Sequence, residues 1–332
     1  MIIILKWQFV SHGVRKDKAV HCKICNTIEY NNVYEVEEMM LGFRDKFTYF
    51  QCSHCKCLQI AEIPVDMPKY YPSNYYSFSA DPLKKYRNKI KTHVVRFRDH
   101  YSVLNGGLLT SFVNLIHPNN PYRILSHANL TINSSVLDVG CGSGWYLYGL
   151  REAGFKNVTG IDPYLQNDIS YTNGLSIFKK TIFDMRETWD LIMYNHSFEH
   201  VDDQRENLNK VSNLLAEGGI CLIRIPTVSS YAWEHYKEHW VSLDAPRHYF
   251  LHSIESMELL ASQAGLQVKK ILYESTELQF IGSELYLRNI PLNSAHADSF
   301  FSKSMKKKWK TEARKLNKEK QGDHAAFILG KR

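Results

Sequence analysis

A chain of 332 residues, 44% hydrophobic and 23% charged, has enough apolar side chains for one large domain plus a small additional module. No run of about 18 apolar residues occurs, which excludes insertion into a membrane as a spanning helix, and no arginine-glycine tract, repeat or low-complexity segment is present. The formal net charge of +7 gathers in two stretches, Lys84 to Arg98 and Lys303 to Lys320, which read as solvated helix faces rather than as a chain-wide anion-binding surface.

The opening residues Met1 to Trp7 begin with a short apolar run but lack a basic start and a small-residue cleavage site, so a non-secreted, cytoplasmic protein is expected. Five of the seven cysteines follow within one short module. Cys22 and Cys25 form one C-x-x-C turn, and Cys52 and Cys55 form a second. Two such turns supply the four thiolates of a tetrahedral zinc site. The 26 residues between them require a hairpin or insertion. Four thiolates close the coordination sphere, so the zinc is expected to be structural. His21, His54 and Cys57 are possible substitutes for one ligand. An odd cysteine count without a secretion signal argues against disulfides.

From Ile63 to Phe78, three prolines and several tyrosines oppose regular helix, and predict an ordered connector whose tyrosines pack between domains or line a substrate pocket. Residues 83 to 132 read as mainly helical, broken near Asn105-Gly-Gly107 and His117 to Pro121. Next, Ser135 to Val139 forms a short apolar strand that runs into glycines at 140, 142 and 144 and then a helical pattern. Glycines there permit positive φ and bring backbone amides close to a ligand. The spacing G-x-G-x-G, with Asp138 two residues ahead, differs from the dinucleotide fingerprint G-x-G-x-x-G and favours a methyl donor. A second strand, Asn157 to Ile161, ends at Asp162, placed to accept hydrogen bonds from two ribose hydroxyls.

Through Val136 to Gly144, Gly160-Ile-Asp162, Trp189 to Val201 and Asn207 to Pro226, the sequence resembles the class I S-adenosylmethionine-dependent methyltransferases. Trp240 to His248 resembles a loop of a subgroup that carries an amino-terminal cysteine module and is associated with sugars and polysaccharide. The resemblance implies that Gly140, Gly142 and Gly144 hold the methionine part of the donor, Asp138 supports their loop and Asp162 binds the ribose. Asp184, beside Met185, is the candidate adenine contact, and His196 is expected near the cofactor. Glu199 and His200 follow the fourth strand, where the acceptor enters, and His200 has the chemistry of a general base. Their alternative role is to brace the helix near Asp202. Arg247 and His248 are candidate substrate contacts, since an arginine fork suits phosphate or carboxylate.

The expected architecture is a zinc-ribbon-like module over 1–62, a connector and helical segment over 63–132, and a Rossmann-like α/β domain over 133–332 with a seven-stranded, mostly parallel sheet. The expected activity is methyl transfer to a small-molecule acceptor, with a saccharide or nucleotide-linked sugar first. A proline-proline-aromatic motif is missing after the fourth strand, where Asn195-His-Ser-Phe198 stands, which argues against methylation of nucleobase amines. Two other classes remain open: an RNA-modifying or RNA-binding protein using the cysteine module and basic helices, and a non-catalytic scaffold with a degenerate donor site.

Overall fold

The computed structural model describes residues 19–72, 81–86, 89–104, 108–117, 120–295 and 297–332. The opening at Met1 to Trp7, the later part of the tyrosine connector and the turn at Asn105 to Gly107 lie outside the described residues.

The cysteine module consists of β1 (Ala19–His21), β2 (Ile28–Tyr30), β3 (Asn32–Glu37), β4 (Lys46–Gln51) and β5 (Leu58–Ile60). The hairpin anticipated between the two cysteine pairs is the antiparallel pair β3–β4. A 3-10 turn at Met67–Tyr70 begins the connector, where prolines rule out a longer helix. Then come α1 (Lys89–Val103) and α2 (Leu108–Ile116). In α1, Arg96 pairs with Glu152 and Arg98 with Asp99, so part of the first basic stretch is neutralised locally.

The main sheet is built from β6 (Ser135–Val139), β7 (Asn157–Ile161), β8 (Ile169–Ser170), β9 (Ser176–Phe178), β10 (Trp189–Asn195) and β11 (Leu215–Pro226). A two-residue strand, β12 (Phe250–Leu251), leaves this layer, and β13 (Leu266–Tyr273) and β14 (His324–Lys331) complete it. Its helices are α3 (Trp145–Glu152), α4 (Gln204–Leu214), α5 (Tyr231–Tyr236), α6 (Ile254–Gln263), α7 (Leu278–Leu287) and α8 (Lys303–Lys318). The second basic stretch is α8: it buries Ala313 and Leu316 and leaves most of its lysines in water.

The strand order is β13-β14-β11-β10-β6-β7-β9-β8. This is eight strands, not the expected seven, because β8 adds a short antiparallel edge to β9. The pairs β10–β11, β10–β6, β6–β7 and β7–β9 are parallel, and β14 runs antiparallel to both neighbours. The chain runs outward in both directions from β6 and β10, so the loops after these two strands flank a crevice at their carboxyl ends. Ligands bind at such a switch point in open α/β sheets.

The cysteine module does not stand apart from this domain. Strand β12 pairs with β5, placing Phe250 opposite Gln59 and Leu251 opposite Leu58, and so completes the module's β3-β4-β5 sheet. Arg205 and Gln263 both donate to the Ile24 carbonyl, and one apolar core continues from Cys22, Tyr49 and Leu58 to Trp233, Trp240 and Leu251.

Candidate active site

The two C-x-x-C turns have the same backbone design. Asn26 and Lys56, each just after the second cysteine, adopt φ of 61°, and each donates its amide to the carbonyl of the first cysteine in its pair. The turns face each other, with Cys22 Sγ 3.6 Å from Cys55 Sγ and Cys25 Sγ 3.5 Å from Cys52 Sγ. All four sulfurs lie within 4.8 Å of one another. Tetrahedral zinc with bonds of about 2.3 Å needs sulfurs about 3.8 Å apart, so this group is compatible with the metal. The amides support the thiolate form: Cys25 N and Gln59 Nε2 donate to Cys22 Sγ, and Lys23 N fixes the Gln59 side chain. The hydrogen bond with Cys55 holds the Cys22 thiol well below its usual range and raises that of Cys55. Cys57 lies outside the cluster, buried near His252.

At the crevice, Gly140, Gly142 and Gly144 have φ of 73°, 55° and 73°. A Cβ at Gly140 would come within 2.6 Å of the Ser197 Cβ, so glycine is required by both conformation and space. Asp162 holds the loop from the next strand. Its Oδ2 accepts from Gly142 N and its Oδ1 from Tyr164 N, both at 2.9 Å. Each oxygen keeps a lone pair for a further donor. Burial pushes the Asp162 carboxyl up, partly offset by those two amides.

Asp138 lies beneath the loop, 2% exposed, and accepts from Asn195 Nδ2 at 3.1 Å. Arg224 donates to Asn195 Oδ1 at 3.1 Å and is itself clamped by Glu274 at 2.7 and 2.9 Å. Three of these side chains stand on the adjacent strands β6, β10 and β11, and the fourth, Glu274, reaches Arg224 from just beyond the end of β13. Burial pushes Asp138 up to about 8, opposed by the Asn195 hydrogen bond and the Arg224 charge. The sequence reading missed Asn195, Arg224 and Glu274. The alternation in β11, which sets Arg224 among apolar neighbours, was the available signal for Arg224.

Asp184 is exposed, and its carboxylate accepts from Thr181 N and Oγ1, both at 2.8 Å, closing a 3-10 turn at Ile182–Asp184. Met185 beside it is buried. His196 follows β10 with φ of 53°, and its ring lies tilted at 59° to that of His324, 5.2 Å between centroids.

Glu199 and His200 lie in a 3-10 turn, Phe198–His200. Glu199 is 1% exposed, and its Oε2 has no hydrogen-bond partner among the described residues. Burial raises its carboxyl to about 8. Its Oε1 lies 3.9 Å from His248 Nε2 and 3.9 Å from His196 Nδ1. His200 Nδ1 donates to the Arg247 carbonyl at 2.7 Å, and His248 Nδ1 donates to the Ser242 carbonyl at 2.8 Å. These bonds fix both tautomers and leave each Nε2 as a bare lone pair. Burial holds both imidazoles below the usual histidine range, His248 to about 3. Tyr71, from the tyrosine connector, places its hydroxyl 3.2 Å from His200 Nδ1.

Arg247 sits elsewhere than a substrate-facing fork would. It is fully buried, and its guanidinium is taken by Asp244 at 2.9 and 2.5 Å, Glu38 at 3.0 Å and the Tyr70 carbonyl at 3.3 Å. Glu38 in turn accepts from the amides of Leu41, Gly42 and Phe43. Arg247 therefore ties the loop carrying His248 to the cysteine module. The sequence reading passed over Glu38 and Asp244, because the partner of Glu38 lies 209 residues away.

Residues 108–271 match the family model described as a methyltransferase domain. Among curated proteins, tRNA U34 carboxymethyltransferase of Shewanella sediminis is 51% identical over 41 residues, and that of Shewanella oneidensis is 49% identical over 41 residues. Each alignment covers 12% of this chain, and the chain spans only 12% of the length of these relatives. Similar solved structures include a cyclopropane synthase from Mycobacterium tuberculosis, at 14% identity and TM-score 0.41, covering 74% of this chain and 99% of that one. Magnesium protoporphyrin IX methyltransferase from Synechocystis PCC 6803 with bound SAH matches at 16% identity and TM-score 0.38, covering 56% and 89%. The segment that carries the glycine loop, Asp162, Asn195 and the Glu199–His200 pair thus matches a methyltransferase domain.

Proposed function

We propose that the protein is an S-adenosylmethionine-dependent methyltransferase acting on a small-molecule acceptor, with a saccharide or nucleotide-linked sugar as the first class. The observation that carries this reading is the paired use of Asp162: it braces the glycine loop through Gly142 N while keeping lone pairs for a diol. The residues fit such a donor. Gly140, Gly142 and Gly144 would hold its methionine part, Asp162 its ribose, and Asp184 and His196 flank its remaining surface. When bound, the donor supplies a methyl group activated on a sulfonium.

The chain's own task is then alignment and exclusion of water, since an in-line displacement gains most from positioning. The Asp138–Asn195–Arg224–Glu274 chain keeps the ends of β6, β10 and β11 in register beneath the donor. Glu199 and His200 stand on the acceptor side, and the bare Nε2 of His200 can receive an acceptor proton. His248 adds a second bare nitrogen to the same wall. The four cysteines are read as a structural zinc site that supports the loop from Trp240 to His248.

RNA is the second acceptor class, favoured by the tRNA-directed name of the curated relatives. Isothermal titration with S-adenosylhomocysteine tests the donor reading without knowledge of the acceptor. One-to-one binding is expected. Asp162→Ala removes two charge-assisted hydrogen bonds worth about 1.5–3 kcal/mol each, so affinity falls at least ~100-fold while the fold persists. Wild-type affinity in that variant refutes the ribose assignment, and incorporation of labelled methyl into sugar nucleotides or tRNA separates the two acceptor classes.

A further inference from the structure

Glu199, His200 and His248 bring three ligand atoms within 4.8 Å of one another at the wall of the crevice. We propose that these three residues form a site for a divalent first-row transition-metal cation, separate from the four-cysteine cluster, and that this cation holds a hydroxyl of the acceptor. The proposal rests on the methyltransferase reading for the acceptor's presence and specifies how the acceptor is held: with the ion bound, His200 is a ligand rather than a base.

Three observations carry it. The first is the arrangement of the imidazoles. Each donates Nδ1–H to a backbone carbonyl, His200 to Arg247 and His248 to Ser242, which leaves Nε2 as the nitrogen able to bind a metal, and His248 Nε2 lies 3.9 Å from Glu199 Oε1. Metal-bound histidines have this outer support, which fixes the tautomer and ring orientation. The second is Glu199. A carboxylate 1% exposed, with one oxygen unpartnered among the described residues, is costly to bury unless a cation or proton meets it. The third is the approach of the groups. Glu199 Oε1 is 3.9 Å from His248 Nε2, while bonds of about 2.1 Å require ligand atoms about 3.0–3.4 Å apart. A small rotation of the carboxylate closes that difference.

Two imidazoles and one carboxylate on one side of a cation leave the opposite positions open. An acceptor oxygen can occupy them and lose part of its proton affinity to the cation. Hydroxyl acceptors, above all vicinal diols able to chelate, fit this chemistry better than amines.

The test is equilibrium dialysis of the full chain, carrying one equivalent of zinc in its cysteine cluster and stripped of weaker-held metal, against cobalt(II), read by metal content and visible absorption. The expected result is one cobalt per chain with weak d–d bands and no thiolate charge-transfer band, which separates this site from the cysteines. His248→Ala and Glu199→Gln should each weaken uptake more than about tenfold while S-adenosylhomocysteine still binds. Uptake of equal affinity in both variants, or none by protein that binds S-adenosylhomocysteine, overturns the site. Cobalt uptake without S-adenosylhomocysteine binding leaves the metal site standing and overturns the donor reading instead.

Discussion

Arg247→Met is the sharpest test of how the cysteine module and the main α/β domain are joined. Arg247 and Glu38 are both fully buried, 3.0 Å apart, and the same guanidinium grips Asp244. Removing one partner of such a pair strands the other charge and costs about 3–5 kcal/mol. Glu38 is not left bare, however, because Leu41 N, Gly42 N and Phe43 N still donate to it at 2.8, 2.8 and 2.9 Å. The loss should therefore fall at the lower end, about 3 kcal/mol. Adding Glu38→Gln to Arg247→Met removes one of the two stranded charges, Asp244 keeping the other, and should recover part of the loss, whereas Arg247→Lys should lie between, since one ammonium cannot span three partners. Urea unfolding of zinc-loaded protein, followed by the buried Trp233 and Trp240, measures these differences. A loss under about 1 kcal/mol in Arg247→Met, or a double variant no more stable than the single one, refutes the structural assignment.

Replacing Cys22 and Cys25 together by serine should remove one zinc per chain and destabilise the module; unchanged metal content would refute the cluster. Asp138 gives a pH test. Its folded-state value, raised to about 8, stands above the unfolded carboxylate range, so its stabilising contribution is complete below about 4 and declines as pH rises toward 8. Relative to Asp138→Asn, wild-type protein should lose a few kcal/mol of unfolding free energy between pH 5 and 8. A pH-independent difference between the two would refute the burial argument.

The parts of the site set by short segments were legible in the sequence. Gly140, Gly142 and Gly144 announce a backbone requirement, and Asp162 closes a strand of readable length. The paired C-x-x-C turns likewise specify their own geometry. What stayed hidden depends on contacts between distant segments. The sequence around Arg247 suggests an anion-binding fork, and only its burial against Glu38 and Asp244 reveals another use. Asp138 is conspicuous locally, whereas the Asn195–Arg224–Glu274 relay beneath it exists only once the strands are ordered. The eighth strand was missed because Ile169–Ser170 is too short to show any periodicity.

The pairing of β5 with β12 has a consequence for the order of folding. Ser253 Oγ donates to the Cys55 carbonyl and Tyr49 Oη to the His248 carbonyl, contacts that span 198 and 199 residues. Contacts of such separation carry a large closure entropy and form late. Strands β3, β4 and β5 emerge from synthesis long before β12, the fourth strand of their sheet, exists, with the β5 edge open to misplaced pairing. A metal that ties both cysteine turns together would hold this fragment compact during that interval. The cluster would then act on folding as well as on the stability of the finished molecule, and its loss would lower refolding yield too.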